Sequence, residues 1–251
     1  MFSIYFAVGV AALMFAFGLG GLFLQRSLAE HHTSDRSRDM IGGVVGLITL
    51  LLALVLGLLI WTAYGVFTVQ QNELNLLSAR ALEYDLELRQ FGPEAKHGRE
   101  LLRTDLVWAH DQFWGDDDAK AQAYEASYAN MGSVSAFLGS LHPTTDMQKQ
   151  LLGAASSHYG SIGETRLLMS LQLTNPISWP LIVTVTCWSC LLFAGFGMLS
   201  RINATTLVAM GLGAMSVASA IFLILELSQP YTSLLRISSA GLEQVIVDLD
   251  K

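Results

Sequence analysis

Between Ile41 and Val69 the chain runs for 29 residues, IGGVVGLITLLLALVLGLLIWTAYGVFTV, without one charged side chain. About 20 apolar residues cross a bilayer's hydrocarbon as a helix, where no water is present to satisfy an open backbone. The stretch therefore predicts a membrane-spanning helix with length to spare. It has two faces. Gly42, Gly46, Thr49, Ala53, Gly57, Ile60, Tyr64 and Thr68 recur at steps of three and four, the spacing of a single helical stripe. That stripe is mostly small or weakly polar, while Leu50, Leu51, Leu54, Leu58 and Val66 fall largely elsewhere. Small residues let a second backbone approach closely in a membrane. The same stripe could instead surround a narrow aqueous path, and the two readings imply different functions.

Composition agrees with a membrane protein. The 251 residues are 52% hydrophobic and 14% charged, against roughly 25% charged in soluble domains. A net charge of -7 offers no basic face for nucleic acid and no polybasic segment for anionic lipid heads. Cys187 and Cys190 have a redox C-x-x-C spacing. They lie inside an apolar run with no strand before them, which reads as helix packing and not as chemistry.

Three more spans follow from the same length argument. Residues 3–24 form an apolar run that is too long, and too poor in basic residues at its start, for a signal peptide. Ala12, Ala16 and Gly20, four apart, predict its packing face. Residues 178–200 form a third span, with Trp179 at the interface and Pro180 in the first turn. Residues 204–227 form a fourth, with small faces at Ala214–Ala218 and Ser216–Ala220. Glu226 ends it at the membrane edge, where an acid is interfacial or, in an oligomer, a candidate for a pore mouth. The polar loop 25–40 holds His31, His32, Asp35 and Asp39. These are metal-capable, but nothing supplies the supporting shell a metal site needs, so they read as solvated.

Residues 70–175 carry most of the charges, yet their apolar residues keep helical periods. Leu74, Leu77, Ala81, Tyr84 and Leu88 continue the second span outward without a breaker until Gly92-Pro93. Leu102, Leu106, Ala109 and Phe113 make a second stripe, closed by a turn at Gly115–Asp118. Ala121, Tyr124, Tyr128, Met131, Ser135 and Leu138 make a third, broken at His142-Pro143. A fourth begins near Thr145, which forms a capping box with Gln148, and carries Met147, Leu151, Ala154, His158, Thr165 and Leu168. Asp116, Asp117 and Asp118 lack the alternation and distal Glu of a calcium loop and read as a solvated cap. His158 reads as an internally bonded histidine, since no nucleophile pairs with it. Trp108 and Trp114 read as core residues or membrane-surface anchors. The tail, residues 229–251, has Leu242, Val245, Ile246 and Leu249 at helical spacing.

The predicted class is an all-α membrane protein. Residues 1–69 hold transmembrane helices 1 and 2, 70–175 an extramembrane helical bundle inserted between helices 2 and 3, 176–228 helices 3 and 4, and 229–251 an amphipathic tail. The Gly-rich second helix running into QQNELNLLSARALEYDLELRQFGPE, and the closing ILELSQPYTSLLRISSAGLEQVI, together resemble the bestrophin-like domain family of bacterial membrane proteins. The resemblance departs from the family pattern at Ser78-Ala79, where a Glu often precedes the Ala, and in lacking a glycine after Pro230-Tyr231. It implies a pentamer in the cell (inner) membrane, a cytoplasmic bundle, and a second helix that lines an anion pore.

These observations lead to three functional readings. The first is an oligomeric, anion-conducting channel with Gly42, Gly46, Thr49, Ala53, Gly57, Ile60, Tyr64 and Thr68 lining the path. Ile60, Trp61 and Tyr64 would form its constriction, gating by dewetting. No ionisable residue lies deep in a span, which argues against a proton-coupled transporter. The second is a non-conducting scaffold or sensor whose bundle binds a partner protein. The third, a membrane enzyme, finds no nucleophile elbow, H-E-x-x-H, P-loop or paired-carboxylate motif. No metal or cofactor is expected. The partners expected are the bilayer, further copies of the chain and an ion. Loop charges alone lean toward placing the short loops in the cytoplasm. The resemblance implies the reverse, and that is the orientation taken here.

Overall fold

Because a helix in hydrocarbon satisfies its own backbone and the sequence offers no Pro between Asp35 and Phe91, the second helix does not stop at the membrane edge. The computed structural model describes residues 2–27, 35–114, 132–173, 179–231 and 233–250. The loop histidines His31 and His32, the Asp116–Asp118 turn, and Ala121, Tyr124, Tyr128 and Met131 lie outside the described residues. The elements are α1 (Phe2–Ser27), α2 (Asp35–Phe91), α3 (Lys96–Trp114), α4 (described over 132–140), α5 (Asp146–Leu173), α6 (Trp179–Leu199), α7 (Ala204–Leu227) and α8 (Ala240–Asp248). Every regular element among the described residues is helical, and four helices are long and apolar enough to span a membrane. At 57 residues and 1.5 Å per residue, α2 is about 85 Å long. Gly92 ends it with φ 132°, a backbone setting open almost only to glycine, and Pro93 opens the short 3-10 turn Pro93–Ala95 that leads into α3.

The chain forms two compact units. One comprises Met1–Val66 and Ile177–Ser228, the other Phe67–Pro176 and Gln229–Lys251.

In the first unit α1 packs against both α6 and α7. Lipid tails are as apolar as leucine, so close backbone approach holds such helices together more than the hydrophobic effect does. A Cβ at Gly21 would sit 2.1 Å from the Ala194 carbonyl oxygen, and one at Gly197 would sit 2.2 Å from the Gly18 oxygen. The α1 face expected at Ala12, Ala16 and Gly20 is instead turned outward, and the buried face is Ala7, Val10, Met14, Gly18 and Gly21. Gly197 and the Ala194 backbone of α6 meet that face, a pairing that inspection of α1 alone does not reveal. In α7 Ala214 and Ala218 are buried as expected, whereas Ser216 is exposed. Trp179 stands edge-on to Phe2 and Phe6, and Asn203 caps α7 by accepting from the Thr206 N–H at 2.7 Å.

In the second unit one apolar core runs through Leu74, Leu77, Ala81, Tyr84 and Leu88 of α2, Leu102 and Leu106 of α3, Val134 and Leu138 of α4, Ala155, Tyr159 and Ile162 of α5, and Leu242, Val245 and Leu249 of α8. Two expected stripes need correction. In α4 the inward residues are Val134 and Leu138, and Ser135 is exposed. In α5 the face turns by about one residue, to Ala155, Tyr159, Ile162, Arg166 and Met169, leaving Met147 and Leu168 exposed. Arg166 can occupy that face because Asp105 of α3 pairs with it. The Thr145 hydroxyl accepts the Gln148 N–H as a capping box requires, but the Gln148 side-chain oxygen accepts the Thr144 N–H, one residue earlier than expected. The Gln148 amide also donates to the Phe91 carbonyl at 3.0 Å and so covers the end of α2.

The glycine contacts predict a sharp contrast. Gly197→Ala should lower the melting temperature of the detergent-purified protein by about 5 °C or more, since overpacking costs ~1–3 kcal/mol and here the neighbour is backbone. Gly20→Ala, with no atom within 4 Å of its added carbon, should leave the melting temperature unchanged.

Candidate functional site

The stripe that the sequence singles out lies on the span with the least cover from its own chain. Only 17% of α2's most apolar window is buried, against 28–39% in the other three spans. The residues of that span that the chain does bury are Val45, Leu52, Leu59 and Ala63, seven, seven and four apart. The stripe lies to one side of them. Gly46, Thr49, Ala53, Gly57 and Tyr64 are exposed, while Gly42, Ile60 and Thr68 are half-buried. Among the described residues no heavy atom lies within 4 Å of a carbon added at Gly42, Gly46 or Gly57, so none of the described helices fills the space beside them. Opposite the buried residues stands a ridge of Leu50, Leu54, Leu58 and Trp61, with Trp61 73% exposed. The Thr49 hydroxyl donates to the Val45 carbonyl at 2.8 Å, so only its lone pairs face outward. Glu226 is 2% exposed and does not stand at an open surface.

Immediately beyond the span, Gln70 is fully buried in the second unit. Its amide nitrogen donates to the Gln172 side-chain oxygen at 2.7 Å and to the Met169 carbonyl at 3.4 Å. Its oxygen accepts from the Tyr231 hydroxyl at 2.9 Å. Gln172 in turn donates to Glu73 at 2.9 Å. Burial, with the Glu73 charge adding to it, pushes the Tyr231 phenol far above its ordinary range, so it stays a donor. Leaving a buried amide group without its partner costs about 1–3 kcal/mol, which makes this chain of bonds directional in a way that leucine contacts are not. Sequence reading missed it. The available signal was that Gln70 is the first polar residue after the 29-residue run and falls in phase with Leu74 and Leu77.

Farther along the bundle, Arg166 pairs with Asp105 at 2.5 Å, both nearly inaccessible, and its guanidinium lies 5.8 Å from the Trp108 ring. Burial pushes the Asp105 carboxyl up and the Arg166 charge pulls it back. Asp85 is held by Arg89 at 2.6 Å and Arg99 at 2.5 Å. These two arginines also donate to the Asp248 and Leu249 carbonyls at the end of α8. Trp114 donates to the Ile237 carbonyl at 2.9 Å. Both tryptophans thus serve the bundle. His158 joins α5 to α2. Its Nδ1 lies 3.1 Å from both the Arg80 guanidinium and the Glu83 carboxylate, and its Nε2 lies 3.2 Å from Glu87. Burial raises the Glu87 pKa and His158 offsets the rise. Among the described residues no group of three His, Cys, Asp or Glu is placed to hold a metal ion.

A family model described as Bestrophin-like domain matches residues 12–242. In fold the chain is similar to crystal structures of a bacterial Bestrophin homolog from Klebsiella pneumoniae. One, solved by Zn-SAD phasing, superposes with a TM-score of 0.69 at 13% identity, covering 96% of each chain. Two single-residue variants give TM-scores of 0.70 and 0.72, each at 13% identity, covering 98% of this chain and 99% and 96% of theirs. No curated protein matches this chain in sequence.

The Asp105–Arg166 pair supplies a prediction for the bundle. Asp105→Ala should destabilise it by about 3–5 kcal/mol by stranding a buried guanidinium, and Asp105→Leu with Arg166→Met should recover most of that loss. Thermal unfolding of the purified variants measures both, and equal losses in the single and double variants would contradict the argument. With the family match extending from the first span to the last helix, the chain belongs to the Bestrophin-like domain family.

Proposed function

We propose that this protein is a homo-oligomeric, bestrophin-like ion channel of the cell (inner) membrane, pentameric and anion-conducting as the resemblance implies, with α2 lining the path. The observation that carries the reading is the open stripe of α2, small at Gly46, Ala53 and Gly57 and unfilled by any described helix of its own chain. Further copies of the chain would enclose it. Ile60, Trp61 and Tyr64 are bulky side chains in the half of that run nearer residue 70, and a ring of them would close the path by excluding water. With no ionised group in the span and the Thr49 hydroxyl turned into its own helix, the wall selects ions by the cost of dehydration and by width. Membrane transport, and not catalysis, is the activity that this arrangement supports, and the bundle is placed on the cytoplasmic side.

Halide flux from proteoliposomes tests the reading. Wild-type protein should release halide well above protein-free vesicles, and Tyr64→Ala should change the rate severalfold. Unchanged flux in Tyr64→Ala would remove Tyr64 from the constriction. No flux from a homogeneous folded oligomer would favour the scaffold, whose open α2 face then binds another protein. Protease added outside sealed right-side-out vesicles should leave the bundle intact, and cleavage within residues 70–175 would reverse the orientation.

A further inference from the structure

Apolar contacts alone hold a membrane helix poorly against rotation, because a leucine turned from a neighbouring helix toward lipid stays in an apolar medium. α2 needs some other device if one of its faces is to point reliably at a path. The first polar side chain beyond its apolar run is Gln70, and every hydrogen-bonding position of that amide except one oxygen lone pair is engaged. Met169 and Gln172 receive its two donations, and Tyr231 donates to its oxygen. Met169 and Gln172 lie at the end of α5, the helix that leads to α6, and Tyr231 follows four residues after the end of α7. The segments connecting to two other spans therefore meet α2 at one residue. Gln172 also reaches Glu73, three residues along α2, which makes a second attachment on nearly the same face. No break separates residue 70 from residues 57–68 in the helix, so a rotation fixed at Gln70 is fixed for Trp61 and Tyr64 as well.

We propose that Gln70 is a positioning residue whose buried amide, clamped by Tyr231, Gln172 and the Met169 carbonyl, sets the rotation of α2 about its own axis and thereby which residues of the span face the conduction path. The functional consequence rests on the channel reading above, but the structural content does not. Glutamate at this position keeps the acceptor for Tyr231 and loses the two donations, and leucine loses all three bonds.

The test uses full-length protein in proteoliposomes, with Cys187→Ser and Cys190→Ser removing the native thiols. Single spin labels placed by cysteine substitution at Gly57, Ile60, Trp61, Tyr64 and Thr68 are compared for accessibility to oxygen and to a water-soluble nickel chelate, which gives a helical periodicity with a phase. Gln70→Leu should shift that phase or reduce its amplitude at least twofold. Tyr231→Phe should give part of the change, and the double variant no more than Gln70→Leu alone. Ile162→Ala, a buried bundle residue outside these bonds, should leave the phase unchanged. An unaltered pattern in folded Gln70→Leu, or an equal shift in Ile162→Ala, overturns the proposal. If Gln70→Leu does not fold, Gln70→Glu and Tyr231→Phe carry the comparison by the same criteria. The labels report whether or not the protein conducts, so a silent wild type counts against the channel alone.

Discussion

Over the roughly 20 residues that cross hydrocarbon, the backbone of α2 must satisfy itself, and the helix that this requires runs on without a breaker to Phe91. Once formed, it has no reason to stop before Gly92, where a positive φ and the following proline end it. The same element supplies a span to one unit and a core helix to the other. With the buried Gln70 between Ala63 and Leu74, the inward residues Val45, Leu52, Leu59, Ala63, Leu74, Leu77, Ala81, Tyr84 and Leu88 recur at steps of three, four and seven, so one helix face serves two environments. The physics differs along it. In the span only Val45, Leu52, Leu59 and Ala63 are buried, with Val45 against Gly195 of α6. Outside, burial of Leu74, Leu77 and Leu88 contributes roughly 1.5–3 kcal/mol each from the hydrophobic effect.

The architecture was largely legible in the sequence because its signals are additive. Apolar runs of 20 or more residues identify spans, and the Gly92-Pro93 pair, the capping box at Thr145 and the Asn203 turn mark ends. Faces were less legible. A stripe chosen within one helix is ambiguous by a residue or so, and the choice is made by the partner. Gly197 and the Ala194 backbone of α6 turn α1 toward Gly18 and Gly21 and away from Gly20. Asp105 of α3 lets Arg166 occupy an inward position that a charged residue ordinarily avoids, and this rotates the whole of α5. Such pairings join residues 61 to 179 positions apart, beyond the reach of periodicity.

The same limit applies to the candidate site. The small-residue stripe of α2 was visible from spacing, whereas the bonds that would hold it in register were not, because Gln70, Gln172 and Tyr231 belong to three different segments. The polar groups of the bundle follow one rule: each deeply buried charge, Asp85, Asp105 or Arg166, meets an opposite charge within 2.6 Å. A buried ion pair adds little net stability over an apolar pair of equal volume but fixes which residues face each other. That favours a bundle with one arrangement, on which a helix of defined rotation can be built.

In the proposed channel, other copies of the chain close the open stripe of α2. Disulfide cross-linking in native membranes tests it most directly, with the native thiols removed by Cys187→Ser and Cys190→Ser. Gly57→Cys and Tyr64→Cys should each give covalent dimers under mild oxidation, whereas Ala63→Cys, buried against its own chain, should not. Monomer alone from the first two, or equal yields from all three, would contradict the account.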